Sequence, residues 1–225
     1  MTPQPPEVKL ADPTDRRRRA AIAGHRGQTD VARSFLTDPD GGVRATALGA
    51  LVRCEGLSSD DLRAATADPD PRVRVRATEV VAELRGGGAA EPVGIVDLLD
   101  DPDPAVVESA AWASGEREPA EAGAVARLAA LATGAEDALI RESAVAALGS
   151  LGDPAGLEAI LAATTDKATV RRRAIIALAP FEGPEVDGAY ERALTDRDWQ
   201  VRQAAEDLAG PDLTDSPEPD ADPAG

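Results

Sequence analysis

Residue types that could do chemistry are scarce in this sequence. There is one histidine, His25, and one cysteine, Cys54, in the stretch ALVRCEGL. A thiolate nucleophile needs an organising base, and no motif ties Cys54 to His25. One His and one Cys cannot supply the ligands of a usual zinc site. A single cysteine also excludes an internal disulfide and suits a reducing cytosol. Neither GxxxxGK[ST] nor GxGxxG occurs, and RGGGAAEP lacks the lysine and the preceding strand of a phosphate loop. Carboxylates abound, yet they fall in Asp-Pro-Asp-Pro pairs, where helix capping accounts for them. EF-hand spacing is absent. The expectation is a non-catalytic protein without a metal or other cofactor.

Charge narrows the partner classes. The 225 residues carry a formal charge of −17. Nucleic-acid binding needs many cations facing phosphates, and an anionic membrane surface repels such a chain. Steering of a basic protein partner is the electrostatic expectation. The densest basic run, Arg16–Arg19, is short, and it reads as the polar cap of a first helical unit. MTPQPPEVKLADP has no basic segment followed by an apolar core, so no secretory signal is expected. No apolar run approaches the length of a membrane span. Together these features predict a cytoplasmic protein.

The elements that position these residues follow from an internal repeat. Residues 67–84 read ADPDPRVRVRATEVVAEL. With Val73 as reference, the corresponding positions are Arg17, Val43, Val106, Ile140, Val170 and Val201, spaced by 26, 30, 33, 34, 30 and 31 residues. Four residues later stands alanine each time: Ala21, Ala47, Ala77, Ala110, Ala144, Ala174 and Ala205. One residue later stands Arg18, Arg44, Arg74, Arg141, Arg171 or Arg202, with Val107 the exception. Five residues earlier stands Asp12, Asp38, Asp68, Asp101 or Asp196, whereas Ala135 and Thr165 depart, with Asp137 and Asp166 nearby.

The phrase has a local logic. Pro69 disfavours helix at Asp68 and ends one helix, Asp70 caps the next, and Pro71 opens it. Val73, Ala77, Val80, Val81 and Leu84 then share one helical face. GIVDLLDD, AVARLAALATG and GLEAILAATTD supply a preceding apolar helix. Each unit is thus a hairpin of helix A, an Asp/Pro turn and helix B. Such a hairpin buries its apolar face only against neighbours, which makes a solenoid. Seven units at helix spacings of about 8–10 Å predict a curved body on the order of 60–70 Å long.

DPDPRVRVRATEVVAEL and DALIRESAVAALGSLGDP resemble HEAT repeats, in the short form shared with phycobilisome lyases. The resemblance spans residues 12–209 and implies an all-α, right-handed α-solenoid of about seven two-helix repeats. It implies a ladder between neighbouring repeats built from turn aspartates and helix-B arginines. The matching residues are Asp12 with Arg18, Asp38 with Arg44, Asp68 with Arg74 and Asp196 with Arg202, joined by Arg141 and Arg171. It also implies a concave, partner-binding surface lined by helix B. Helix-B residues that break the repeat average there are Arg76, Glu108, Trp112, Arg172, Arg173 and Ile176, and Trp112 suits either a binding hot spot or a space-filling core position. The function implied is a protein–protein interaction scaffold or adaptor. The alternative is a phycobilisome-lyase-like chromophore lyase or an enzyme-assisting subunit. A HEAT-like DNA glycosylase would need a basic, aromatic groove, which this acidic chain with five aromatic residues does not offer. Residues 1–11 and 210–225 read as disordered. PDLTDSPEPDADPAG has five acids, four prolines and no base, too polar to fold alone.

Overall fold

Alternating Asp/Pro turns and Val/Ala-rich segments leave the backbone one economical solution, and the computed structural model shows it: helices joined by tight turns, with no strand among the described residues. Residues 12–84 and 93–208 are described. The terminal segments expected to be disordered, 1–11 and 210–225, and the RGGGAAEP loop lie outside them. The chain divides into two compact units, one ending at Val93 and one beginning at Gly94.

The first unit contains α1 (Pro13–His25), α2 (Thr29–Ser34), α3 (Gly41–Arg53), α4 (Ser59–Thr66) and α5 (Pro71–Leu84). The second contains α6 (Pro104–Gly115), α7 (Ala124–Gly134), α8 (Ala138–Leu151), α9 (Leu157–Ala163), α10 (Ala168–Ala177), α11 (Pro184–Leu194) and α12 (Trp199–Leu208). Helices α1, α3, α5, α6, α8, α10 and α12 carry the B signature. Within the first unit α1 packs on α3 and α3 on α5, and within the second α6, α8, α10 and α12 stack in that order. The repeated all-helical packing makes the chain an α-solenoid. One A element differs from expectation: GIVDLLDD forms a 3₁₀ segment, Val96–Asp100, and not an α-helix. Its run of apolar residues is too short between Gly94 and Pro102 to complete helical turns.

The core is the repeated set of B-helix positions. Val43, Val73, Val106, Val170 and Val201 are buried, as are Ala47, Ala77, Ala110, Ala144, Ala174 and Ala205. In α1 the buried frame falls one residue earlier than the spacing suggested, at Arg16 and Ala20 instead of Arg17 and Ala21. Small residues let the B helices touch backbone to backbone. A Cβ added at Gly149 of α8 would stand 2.6 Å from Ala177 Cα of α10, and one at Gly115 of α6 would stand 2.7 Å from Ala147 Cα of α8.

The turns are held by their own aspartates. Asp38 and Asp196 accept the backbone N–H groups of Asp40 (2.9 Å) and Asp198 (2.8 Å). The second aspartate of each turn then caps the next helix: Asp40 accepts from Val43 N–H at 3.0 Å and Asp103 from Ala105 N–H at 2.9 Å. These bonds satisfy donors that a helix start otherwise leaves orphaned.

Candidate interaction surface

Three of the arginines that follow a B-helix reference residue, Arg44, Arg141 and Arg171, bind two repeats at once. In Arg44, Nε and Nη2 reach Asp68 of the next turn at 2.8 and 2.6 Å, while Nη1 donates to the Asp38 carbonyl of its own turn at 2.7 Å. Arg171 does the same with Asp196 (2.9 and 2.7 Å) and the Asp166 carbonyl (2.7 Å). Arg141 binds Asp166 in bidentate fashion and the Ala135 carbonyl at 2.7 Å. Arg74 and Arg202 donate to the carbonyls of Asp68 (2.8 Å) and Asp196 (2.6 Å). Planar guanidinium geometry suits this three-point contact, which an ammonium cannot reproduce.

Two details depart from the expected pairs. The carboxylate partner of Arg44, Arg141 and Arg171 belongs to the following turn, and the turn of the same repeat offers only its carbonyl. In the first unit Arg16 binds Asp38, at 2.7 and 3.0 Å, because α1 buries Arg16. Arg18 is exposed, and Asp12 caps Thr14 at 2.7 Å instead of meeting an arginine. Asp166 fills the ladder position one residue after Thr165. The bonds to Arg16, Arg141 and Arg171 hold the carboxyl groups of Asp38, Asp166 and Asp196 below the ordinary range. Arg72 lies against Asp70 and lowers it to about 2. The helix lacking the arginine is α6, where Val107 is buried.

The remaining B-helix positions face outward between neighbours. Trp112 of α6 is 45% exposed, so it is a surface residue and not a filler of the core. Glu108 lies one turn before it on the same face and accepts from Ser143 Oγ of α8 at 3.2 Å. Glu142 of α8 lies 3.5 Å from Arg173 of α10, whose Nε is buried without a hydrogen-bond partner. Arg76 is engaged by Glu79 and Glu83 on its own helix, both at 2.9 Å, and leaves no free charge for a ligand. Arg172 and Ile176 of α10 line an open groove of roughly 270 Å³ against α12, with Trp199, Gln200, Gln203 and Leu208 on the other wall. Periodicity did not single out Trp199, because it precedes the repeat phrase and sits just after a turn; it is 64% exposed.

The charge is divided unevenly. Residues 12–84 hold twelve acidic and twelve basic side chains, whereas residues 93–208 hold twenty-two acidic and ten basic ones. The acidic field therefore belongs to the second unit. Cys54 is half-buried, and its thiol donates to the Gly24 carbonyl at 3.4 Å rather than to an imidazole. Among the described residues no cluster of three or more His, Cys, Asp or Glu could hold a metal ion, and no helix is long and apolar enough to cross a membrane.

Comparison with known proteins agrees with this architecture. A designed armadillo repeat protein in complex with the peptide (KR)4 is similar over 81% of this chain and 96% of its own, with a TM-score of 0.58 at 19% identity. The Escherichia coli protein YibA matches over 89% of this chain and 75% of its own, with a TM-score of 0.58 at 14% identity. An engineered protein matches over 80% and 94%, with a TM-score of 0.57 at 19% identity. At such identities the likeness is one of fold. No curated protein matches the chain significantly. The sequence profile of HEAT repeats matches three times, at residues 59–149, 92–179 and 125–210, which together cover more than half of the chain. With the repeated B helices and their arginine ladder, these matches place the chain in the HEAT-repeat family.

Proposed function

We propose that this chain is a non-catalytic scaffold or adaptor that binds a basic protein partner across the B helices of its second unit. The observation that carries the reading is Trp112, half-exposed on a face where the equivalent residues of α8 and α10 are Ala146 and Ile176. A large exposed aromatic one helical turn from Glu108, with Glu142 at the matching position of α8 beside Arg173, offers a cation both a π face and counter-charge. The surplus of acidic side chains in this unit adds long-range attraction. The designed armadillo protein in complex with a Lys/Arg peptide supports the reading that a stack of similar fold can carry such a ligand.

The test is affinity purification from the native host at low and high salt, followed by binding measurements on the recovered partner. Trp112→Ala should weaken that partner by about 2 kcal/mol, roughly thirtyfold, in a protein with an unchanged helical spectrum. Salt should weaken it further. Unaltered affinity in the Trp112→Ala variant would remove the basis of the assignment.

A further inference from the structure

The outward row at the second position after each reference residue changes sign along the second unit. It reads Glu108 on α6, Glu142 on α8 and Arg172 on α10. Arg173 next to it is turned toward Glu142, and the Glu142 carboxylate lies between the two helices. Arg172, by contrast, is exposed and has no carboxylate partner among the described residues. It stands at the edge of the α10–α12 groove, whose walls are apolar at Ile176, Trp199 and Leu208. Asp207 also lines the groove, on the α12 side, where the Gln203 amide donates to it at 2.8 Å, and Arg172 is the cation of the groove lining. Gln200 leaves a further amide on the same wall.

We infer that the α10–α12 groove is a second recognition point on this surface, and that its occupant is the acidic, aliphatic end of the same partner segment whose basic part lies on Trp112, Glu108 and Glu142. The inference rests on the proposed scaffold function and adds the charge order of the ligand. Charge complementarity fixes that order: cations over α6 and α8, then a carboxylate on Arg172, with a neighbouring Leu-like side chain between Ile176 and Trp199. B helices spaced about 8–10 Å apart correspond to roughly three residues of extended chain per repeat. The carboxylate of the ligand therefore falls about three to six residues from its cations. A uniformly basic segment would place a cation on Arg172 and lose affinity there. This is discrimination by repulsion as well as by attraction.

Three synthetic peptides labelled with fluorescein test it on the full chain. The first has two lysines spaced by three residues and, three residues beyond the second, Asp-Leu; the second replaces that Asp by Lys, and the third has the composition of the first with its charges interleaved. The first should bind about tenfold more tightly than either of the others, with a change in tryptophan emission that Trp199→Leu diminishes and that remains in part from Trp112. Arg172→Glu should invert the preference between the first and second peptides, and because Arg172 is exposed the variant should keep its fold. Equal binding of all three peptides, with Trp112→Ala abolishing it, would overturn the groove assignment and leave the scaffold reading standing. Partner affinity unchanged in both Trp112→Ala and Arg172→Glu would overturn both. If deleting residues 209–225 alone raises affinity for the first peptide, the chain's own acidic Asp212–Asp215 stretch is the occupant, and the partner assignment falls.

Discussion

Gly149 offers the sharpest test of how the stack is built. It lies inside α8, where replacing glycine by alanine ordinarily stabilises a helix by about 1 kcal/mol. The new Cβ, however, would stand 2.6 Å from both Cα and Cβ of Ala177 and 3.0 Å from its carbonyl oxygen. Carbon atoms in contact prefer about 3.5–4.0 Å, so α8 and α10 must separate by on the order of 1 Å locally. Such overpacking costs about 1–3 kcal/mol, and here the obstacle is backbone, which has no rotamer to escape into. The clash therefore outweighs the helical gain, and Gly149→Ala should lose about 1 kcal/mol net. For a chain of this size that is a fall in Tm of about 2–4 °C, followed by circular dichroism at 222 nm. Gly134 at the end of α7 is the control, because nothing lies within 4 Å of a Cβ added there, so Gly134→Ala should be neutral or stabilising. A Gly149→Ala variant as stable as Gly134→Ala would refute close backbone contact as the determinant of B-helix spacing.

Further expectations concern the ladder. The lowered pKa values of Asp38, Asp166 and Asp196 mean that the unfolded chain binds more protons than the folded one just below the ordinary carboxylate pKa of about 3.9. Their contribution is then complete above that pH and disappears as pH falls through the folded values, so urea midpoints should be flat near neutrality and drop below about pH 4. Arg171→Lys keeps the charge but not the three-point geometry; it should cost about 1–2 kcal/mol in urea titrations, while the same change at exposed Arg18 should cost nothing measurable. Val107→Arg should not restore a rung. Its side chain is buried and Ala135 stands where the ladder carboxylate would be, so the variant should be destabilised by at least about 2 kcal/mol.

Much of this architecture is legible in the chain because its repeats are locally consistent: the same residues that end one helix start the next. Val73 and Ala77 announce their burial by spacing alone. The frame of α1 is not legible, since DRRRRAAIAGH has no valine to anchor it and any of four arginines could take the buried slot. Packing decides for Arg16, the one that meets Asp38. Direction within the ladder is equally hidden. Periodicity shows that Asp38 and Arg44 recur together, but only the three-dimensional stack reveals that Arg44 takes the carbonyl of Asp38 and the carboxylate of Asp68. Trp112 could not be assigned to core or surface from one helix, because its environment depends on how closely α8 approaches. The groove at Arg172 and Trp199 arises between two consecutive B helices, and neither helix signals it alone.

The missing rung at Val107 has a mechanical consequence. Where the arginine is present, pulling one repeat away must break a bidentate ion pair whose guanidinium is held in place by the carbonyl of its own turn. Between α6 and α8 that rigid tie is replaced by apolar contact and the longer Glu108–Ser143 bond. Tension applied along the second unit should therefore find its yield point there, beside Trp112, and a ligand bridging α6 to α10 would act as a splint across the weakest seam.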